Sequence, residues 1–365
     1  MKNILFCLFC LVAVSSCAQV TGSQEMGFEE YNPTSTLVVP GEEITKAKYP
    51  FVDVHSHQFR MATQDLSELI GHMDQMNMAV MVNLSGGSGE NIINISENIR
   101  ENYPNRFVVY ANVNFDEVGL PGWAENAAKQ LEEDVANGAK GLKIYKSLGL
   151  RNKDVNGNRI AVDDPRLDPI WAKCGELNIP VLIHSADPKS FWDPMDANNE
   201  RWLELKTRPG RKRGATDPAP WEQIIAEQHN VFKKHPNTTF INAHMGWFAN
   251  NLEKLGELLE EMPNMYVGIG AIIAELGRQP RNARAFFIKY QDRILFGKDS
   301  WQPAEFPTYF RVLESDDEYF PYYKKYHAFW AMYGLDLPDD VLRKVYYKNA
   351  IKVIPSLDPG LFPED

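Results

Sequence analysis

The sequence predicts an α/β fold, a (β/α)₈ barrel of the TIM type. Two observations carry this. From residue 50 onward about eight short β-rich runs recur, and the stretches between them are long enough for crossover helices. The runs are nearly continuously apolar, as expected of strands covered on both faces in a parallel sheet.

In order, the predicted strands are Phe51-Val-Asp-Val-His55, Ala79-Val-Met-Val-Asn-Leu84, Phe107-Val-Val-Tyr-Ala-Asn-Val113, Gly141-Leu-Lys-Ile-Tyr145, Pro180-Val-Leu-Ile-His184, Thr239-Phe-Ile-Asn-Ala-His244, Met265-Tyr-Val-Gly-Ile-Gly270 and Arg293-Ile-Leu-Phe-Gly-Lys-Asp299. Helical apolar spacing is clearest over Asn126–Asn137 and Leu252–Glu261, and a last helix is expected from about Pro338 to Val353. Two connections exceed a simple unit: residues 185 to about 220 after the fifth strand and 301 to 335 after the eighth. Both follow strand C-termini, so both are expected to cover the active face.

The barrel is expected to occupy residues 49–365. Ahead of it, residues 18–48 carry Gly, Ser, Pro, Thr and Glu without a period and read as a tether and lead-in. Residues 1–17 read as a lipoprotein signal peptide: Lys2, then an apolar run from Ile4 to Val14 too short to span a bilayer. Val14-Ser15-Ser16-Cys17 resembles a bacterial lipobox, which implies cleavage before Cys17 and lipid attachment there. Ala18 in the next position favours an outer-membrane location, with the domain facing the periplasm. Three of the four cysteines lie in this segment. Cys174 alone remains, so no internal disulfide supports the domain; in Trp171-Ala-Lys-Cys174-Gly it reads as a buried helical thiol. A net charge of −11 argues against a nucleic-acid partner. A small-molecule substrate is expected, and a homo-oligomer stays open.

Four of the eight histidines, His55, His57, His184 and His244, sit at or just past strand C-termini; His72, His229, His235 and His327 fall in predicted helices or helix ends. Residues two apart on a strand share a face, so His55 and His57 enter the mouth together. Asp299 ends the eighth strand, which closes beside the first. Imidazoles with a carboxylate suit a divalent ion, zinc first.

Val-Asp-Val-His55-Ser-His57, Leu-Ile-His184, Asn-Ala-His244-Met-Gly and Leu-Phe-Gly-Lys-Asp299-Ser resemble the metal motifs of the amidohydrolase superfamily, in its branch of aminocarboxymuconate-semialdehyde-decarboxylase-like and lactonase-like proteins. The likeness runs over roughly residues 50 to 355 and includes Tyr347-Lys-Asn349-Ala350. It implies one or two ions bound by His55, His57, His184 and Asp299. It makes His244 a ligand of a second ion or a group that holds water or substrate oxygen, and Asp299 the proton acceptor. Lys143, in Gly-Leu-Lys143-Ile-Tyr145, resembles the lysine that binuclear members carboxylate to bridge two ions. A substrate-binding ammonium and a salt-bridged structural lysine are the other readings of it.

For the substrate, Trp247 and Trp301 are expected on the active face, with Trp192, Trp202 and Trp221 on the long loop. Arg278 after the seventh strand is the candidate to bind substrate. The cluster Arg208, Arg211, Lys212 and Arg213 reads either as a carboxylate grip or as a solvated loop. The expected function is metal-dependent hydrolysis of a lactone, ester or amide in a small, aromatic or carboxylated substrate. Non-oxidative decarboxylation and a non-catalytic metal-binding lipoprotein are the alternatives.

Overall fold

The computed structural model describes residues 26–41 and 43–364. The signal segment and Cys17 lie outside the described residues. Contacts divide the chain at Ser35/Thr36. The described residues before the division form a turn in which Glu30 N donates to Gly27 O. The larger unit begins at Thr36.

That unit is the predicted barrel. Its strands are β1 (Phe51–Ser56), β2 (Met78–Asn83), β3 (Phe107–Val109), β4 (Ala111–Asn112), β5 (Leu142–Ile144), β6 (Val181–Ile183), β7 (Phe240–Asn242), β8 (Met265–Gly268) and β9 (Ile294–Leu295). Each pairs in parallel with the next, except across one break. The break is inside the third predicted strand, so nine segments make eight staves. Tyr110 separates β3, which pairs with β2, from β4, which pairs with β5. Its ring is fully buried against Gly141, where an added Cβ would lie 2.4 Å from the ring. Only glycine leaves that space.

The ring closes between β1 and the end of β9. Val54 N donates to Phe296 O at 3.1 Å, and Asp299 N donates to His55 O at 2.7 Å. Between them, the Asp53 carboxylate accepts from Lys298 N and from His55 N, each at 3.0 Å. The eighth strand is therefore shorter than expected. Asp299 lies beyond it, in a segment whose backbone bonds to Asp53, to β1 and to the last helix.

Amphipathic helices wrap the strands. Trp123–Ala136 buries Trp123, Ala128 and Leu131; Leu252–Glu261 buries Leu252, Leu255, Leu258 and Leu259. A fully buried leucine contributes about 1.5–3 kcal/mol, so such stripes hold the outer layer in place. Cys174 is buried in the helix Asp168–Glu176. The last helix runs as Asp339–Arg343, a π-turn at Lys344–Lys348 and Asn349–Val353. Within the π-turn, the Val345 carbonyl accepts from Phe296 N at 2.9 Å. Asn349 donates to Ile294 O at 2.8 Å and Gln291 O at 2.7 Å. The Asn-Ala segment thus ties the last helix to the last strand.

The loop after β6 holds a short helix, Trp202–Thr207, and the region after β9 holds the helix Phe306–Glu314 and a small antiparallel pair, Phe320–Pro321 with Ala331–Met332. His327, expected in a helix, lies in the turn between those two strands; the aromatic-rich run there forms a hairpin in place of a helical stripe. Among the described residues no helix is long and apolar enough to cross a membrane.

Candidate metal centre

Strand ends deliver the donors. His55 lies in β1 and His57 just past it, with ring centroids 5.4 Å apart. Asp299 Oδ1 is 3.4 Å from His55 Nε2 and 3.7 Å from His57 Nε2. One ligand atom from each of the three lies within 4.8 Å of the others. His184 follows β6 and His244 follows β7, and their rings meet at 4.2 Å. His244 also lies 5.1 Å from His55, so the four imidazoles and the carboxylate share one mouth. Lys143, in β5, is fully buried nearby.

Two hydrogen-bond chains orient the imidazoles. A carbonyl only accepts, so the Tyr145 hydroxyl donates to Leu84 O at 3.1 Å. Ser85 then donates to the Tyr145 oxygen at 2.9 Å, and its own oxygen accepts from His57 Nδ1 at 2.8 Å. The lone pair of His57 is thereby on Nε2, facing Asp299. In the second chain, Gly270 O accepts from His244 Nδ1 at 2.7 Å, which makes His244 Nε2 an acceptor. His184 Nδ1 donates to it at 3.2 Å, leaving the lone pair of His184 on Nε2. That nitrogen is buried and has no hydrogen-bond partner among the described residues, and neither has either nitrogen of His55. Ordering a ligand imidazole through its other nitrogen is how metal sites fix tautomer and direction.

The electrostatics match. Burial, then the neighbouring positive charge of Lys143, holds His57 down at about 4, and burial holds His55 and His184 well below the ordinary imidazole range. Burial lowers His244 as well. These rings are neutral at pH 7, the form that binds metal. Burial opposes ionisation of Asp299, but the potential of His244, His57 and Lys143 outweighs it and keeps the carboxyl below its usual value. Burial lowers Lys143 to about 7. Its Nζ has no hydrogen-bond or salt-bridge partner among the described residues and sits 5.5 Å from the Tyr145 ring centroid. Burial also pushes Asp53 up to about 7, against its two backbone hydrogen bonds. Neutral imidazole nitrogens without partners, converging on an anionic carboxylate in a buried mouth, fit a divalent ion.

His244 reaches the mouth through an unusual backbone. His244, Met245, Gly246 and Trp247 have φ of 58°, 51°, 60° and 65°, a left-handed turn with only one glycine. Asp299 has φ 85°. Each such non-glycine residue costs about 1–2 kcal/mol, and strain of this kind gathers at functional sites. The turn is pinned by the His244–Gly270 bond, by fully buried Met245, and by Trp247 Nε1 donating to Ser185 O at 3.0 Å. It stacks the Trp247 indole on His244 at 4.5 Å.

The other expected substrate groups have different surroundings. Trp301 packs on His72 and Phe306. Arg278 pairs with Glu200 at 3.0 Å and lies 3.9 Å from the Trp330 ring centroid. In the basic cluster, Arg211 pairs with Glu204, Arg213 with Asp187 at 2.8 Å, Lys212 donates to backbone carbonyls, and Arg208 lies over Tyr326. Trp192 and Trp221 are buried, their indoles bonded to Ala219 O and Asp187 O. Sequence reasoning did not single out Asp53, Ser85, Tyr145 or Phe59. The parity of Lys143-Ile-Tyr145 signals Tyr145, and Asp53 precedes His55 at the same parity. Phe59, 76% exposed, stacks on the His57 ring with centroids 5.9 Å apart.

Comparison with solved structures supports the architecture. A TIM-barrel protein of Bordetella bronchiseptica is similar at 15% identity and a TM-score of 0.52, over 84% of this chain and 98% of that one. A 2,6-dihydroxybenzoate decarboxylase from Rhizobium is similar at 13% identity and 0.52, over 84% and 99%. A dihydroxybenzoic acid decarboxylase from Polaromonas, solved with manganese and 2-nitroresorcinol, is similar at 12% and 0.56, over 86% and 99%. These likenesses concern the fold. No protein of curated function matches the sequence. The amidohydrolase family profile matches residues 100–355, which take in β5 to β9 and with them Lys143, His184, His244 and Asp299. With most of the barrel inside that match, the chain belongs to the amidohydrolase family.

Proposed function

We propose that the protein is a metal-dependent hydrolase that opens a lactone, ester or amide bond in a small substrate, with zinc as the expected ion. The observation that carries this reading is the Asp299 carboxylate: anionic, within 3.7 Å of both His55 and His57 Nε2, yet with a side chain 32% exposed to the mouth. A divalent ion held by His55, His57, His184 and Asp299 would polarise the substrate carbonyl and make water acidic enough to attack near neutral pH. Asp299 takes the proton of the attacking water and returns it to the leaving group. His244 holds His184 in the tautomer that leaves Nε2 free. Tyr145 and Ser85 do the same for His57.

Non-oxidative decarboxylation is the second reading, favoured by the names of the Rhizobium and Polaromonas proteins that share the fold. Product analysis separates the two. Incorporation of labelled oxygen from water supports hydrolysis, and release of CO₂ from an aromatic carboxylate without such incorporation overturns it. For location, the lipobox motif supports an anchor on Cys17 and a site on the periplasmic side of the outer membrane. Cys17→Ala should leave the protein unprocessed or soluble; processed protein that still pellets with membranes would refute the anchor.

A further inference from the structure

The peptide between Gly270 and Ala271, just past β8, is held on both sides. Its carbonyl, Gly270 O, accepts from His244 Nδ1 at 2.7 Å. Its N–H, on Ala271, donates to the Tyr309 hydroxyl at 3.0 Å. Tyr309 lies in the helix Phe306–Glu314; it is fully buried, and its ring meets Phe296 edge-on with centroids 5.9 Å apart. No substrate reaches such a residue, so whatever Tyr309 does for the site it does through this peptide.

The peptide is held against its own preference. Ala271 has φ 58°, the left-handed region that alanine avoids. Turning the peptide plane over would carry this φ to about −120°, ordinary extended backbone, and Gly270 has no side chain to resist. The Tyr309 oxygen blocks that turn. At 3.0 Å from Ala271 N it leaves room for a hydrogen. A carbonyl oxygen stands about 1.2 Å beyond its carbon, so a turned peptide would drive Gly270 O into the phenol oxygen. Tyr309, fully buried, has no space to retreat. The blocked orientation would also undo the two histidines. It would withdraw the carbonyl that accepts from His244 Nδ1 and offer an N–H in its place. The proton of His244 would then belong on Nε2, facing His184 Nδ1. His184 would in turn carry its proton on Nε2, the nitrogen whose lone pair is needed for metal.

We propose that Tyr309 is a positioning residue for the metal centre: its oxygen fixes the direction of the Gly270–Ala271 peptide, and through it the tautomers of His244 and His184. The proposal rests on the reading of His184 as a metal ligand and is independent of which bond the protein breaks.

Tyr309→Phe removes the oxygen and keeps the ring in its packing. In full-length protein carrying isotope-labelled histidine and freed of metal, long-range proton–nitrogen NMR reads which nitrogen of each imidazole bears the proton. Wild type should show His184 protonated on Nδ1. Tyr309→Phe should show it mainly on Nε2, with zinc affinity in chelator competition lower by about tenfold or more. Ala271→Gly removes the strain that drives the turn. Added to Tyr309→Phe, it should restore most of the zinc affinity and the wild-type tautomer; alone, it should leave both unchanged. Unchanged tautomers in Tyr309→Phe would overturn the proposal. So would a double variant that shows no recovery, since a packing defect is not mended by a glycine at 271. The two readings fail separately. If the tautomers reverse while zinc affinity stays at the wild-type level, His184 leaves the ligand set and the role of Tyr309 stands.

Discussion

Ser85 touches no substrate, yet the direction of its hydroxyl decides which nitrogen of His57 can bind metal. Ser85→Ala should lower metal affinity about 10–100-fold, the usual effect of losing a group that orients a ligand imidazole, and Ser85→Thr should restore most of it. Metal retained after dialysis against graded chelator reads this out, and wild-type retention in Ser85→Ala would refute the chain of bonds. Asp299→Asn keeps the shape and an oxygen but cannot accept a proton near neutral pH. Turnover should fall about 10²–10⁴-fold in a folded protein, and near-normal rates would remove Asp299 from the proton role. Lys143 is the third residue with a sharp test. Its amine, lowered to about 7, is in substantial part neutral at neutral pH, the form that adds CO₂. Lys143→Ala should therefore reduce bound metal toward one equivalent, and equal stoichiometry in both proteins would exclude a bridging carbamate. The residues most visible in the sequence, the histidines and Asp299, are those whose chemistry is rare at strand ends. Ser85, Tyr145 and Asp53 act through hydrogen bonds to neighbours that only folding brings together; strand parity hints at Tyr145 and Asp53, and nothing in type or spacing announces Ser85.

At the level of elements, the left-handed turn at 244–247 inverts an ordinary rule. Glycine normally destabilises relative to alanine, but at φ 58° alanine is the strained residue. His244→Gly should be more stable than His244→Ala by about 1–2 kcal/mol in chemical denaturation. The usual order, with alanine ahead, would mean that the turn relaxes once the imidazole is gone. Such turns are poorly legible in sequence: His-Met-Gly-Trp offers a single glycine, and its other residues do not favour the conformation. The strands were legible because their apolar runs are continuous, and Leu252–Glu261 because its leucines recur at helical spacing. The interruption at Tyr110 was not, since an aromatic fits the strand pattern on either side. The π-turn at Lys344–Lys348 was hidden for a similar reason: one extra residue in a turn leaves buried Val345, Tyr346 and Tyr347 looking like any apolar face. The basic cluster at 208–213 read as a patch because its partners, Glu204, Asp187 and Tyr326, are brought to it only by folding.

On the scale of the whole molecule, the eight-stave ring was legible from the rhythm of strands, and the site from where that rhythm puts histidines. The ring also has a seam, and the candidate metal ligands straddle it: His55 and His57 lie at the end of the first stave and Asp299 just past the last, where Asp299 N meets His55 O. An ion bound there would act as a clasp, joining points near opposite ends of the folded chain, and clasps that close long loops oppose unfolding most. Metal present at about a thousand times its dissociation constant should add about 4 kcal/mol of stability. Chelation should lower the melting temperature accordingly, and amide exchange should then quicken first in β1 and β9. Uniform loosening would place the ion elsewhere. If the clasp holds, metal supply governs how long the protein lasts as well as whether it works: where metal is scarce the ring parts at its seam, and the opened chain is exposed to proteolysis.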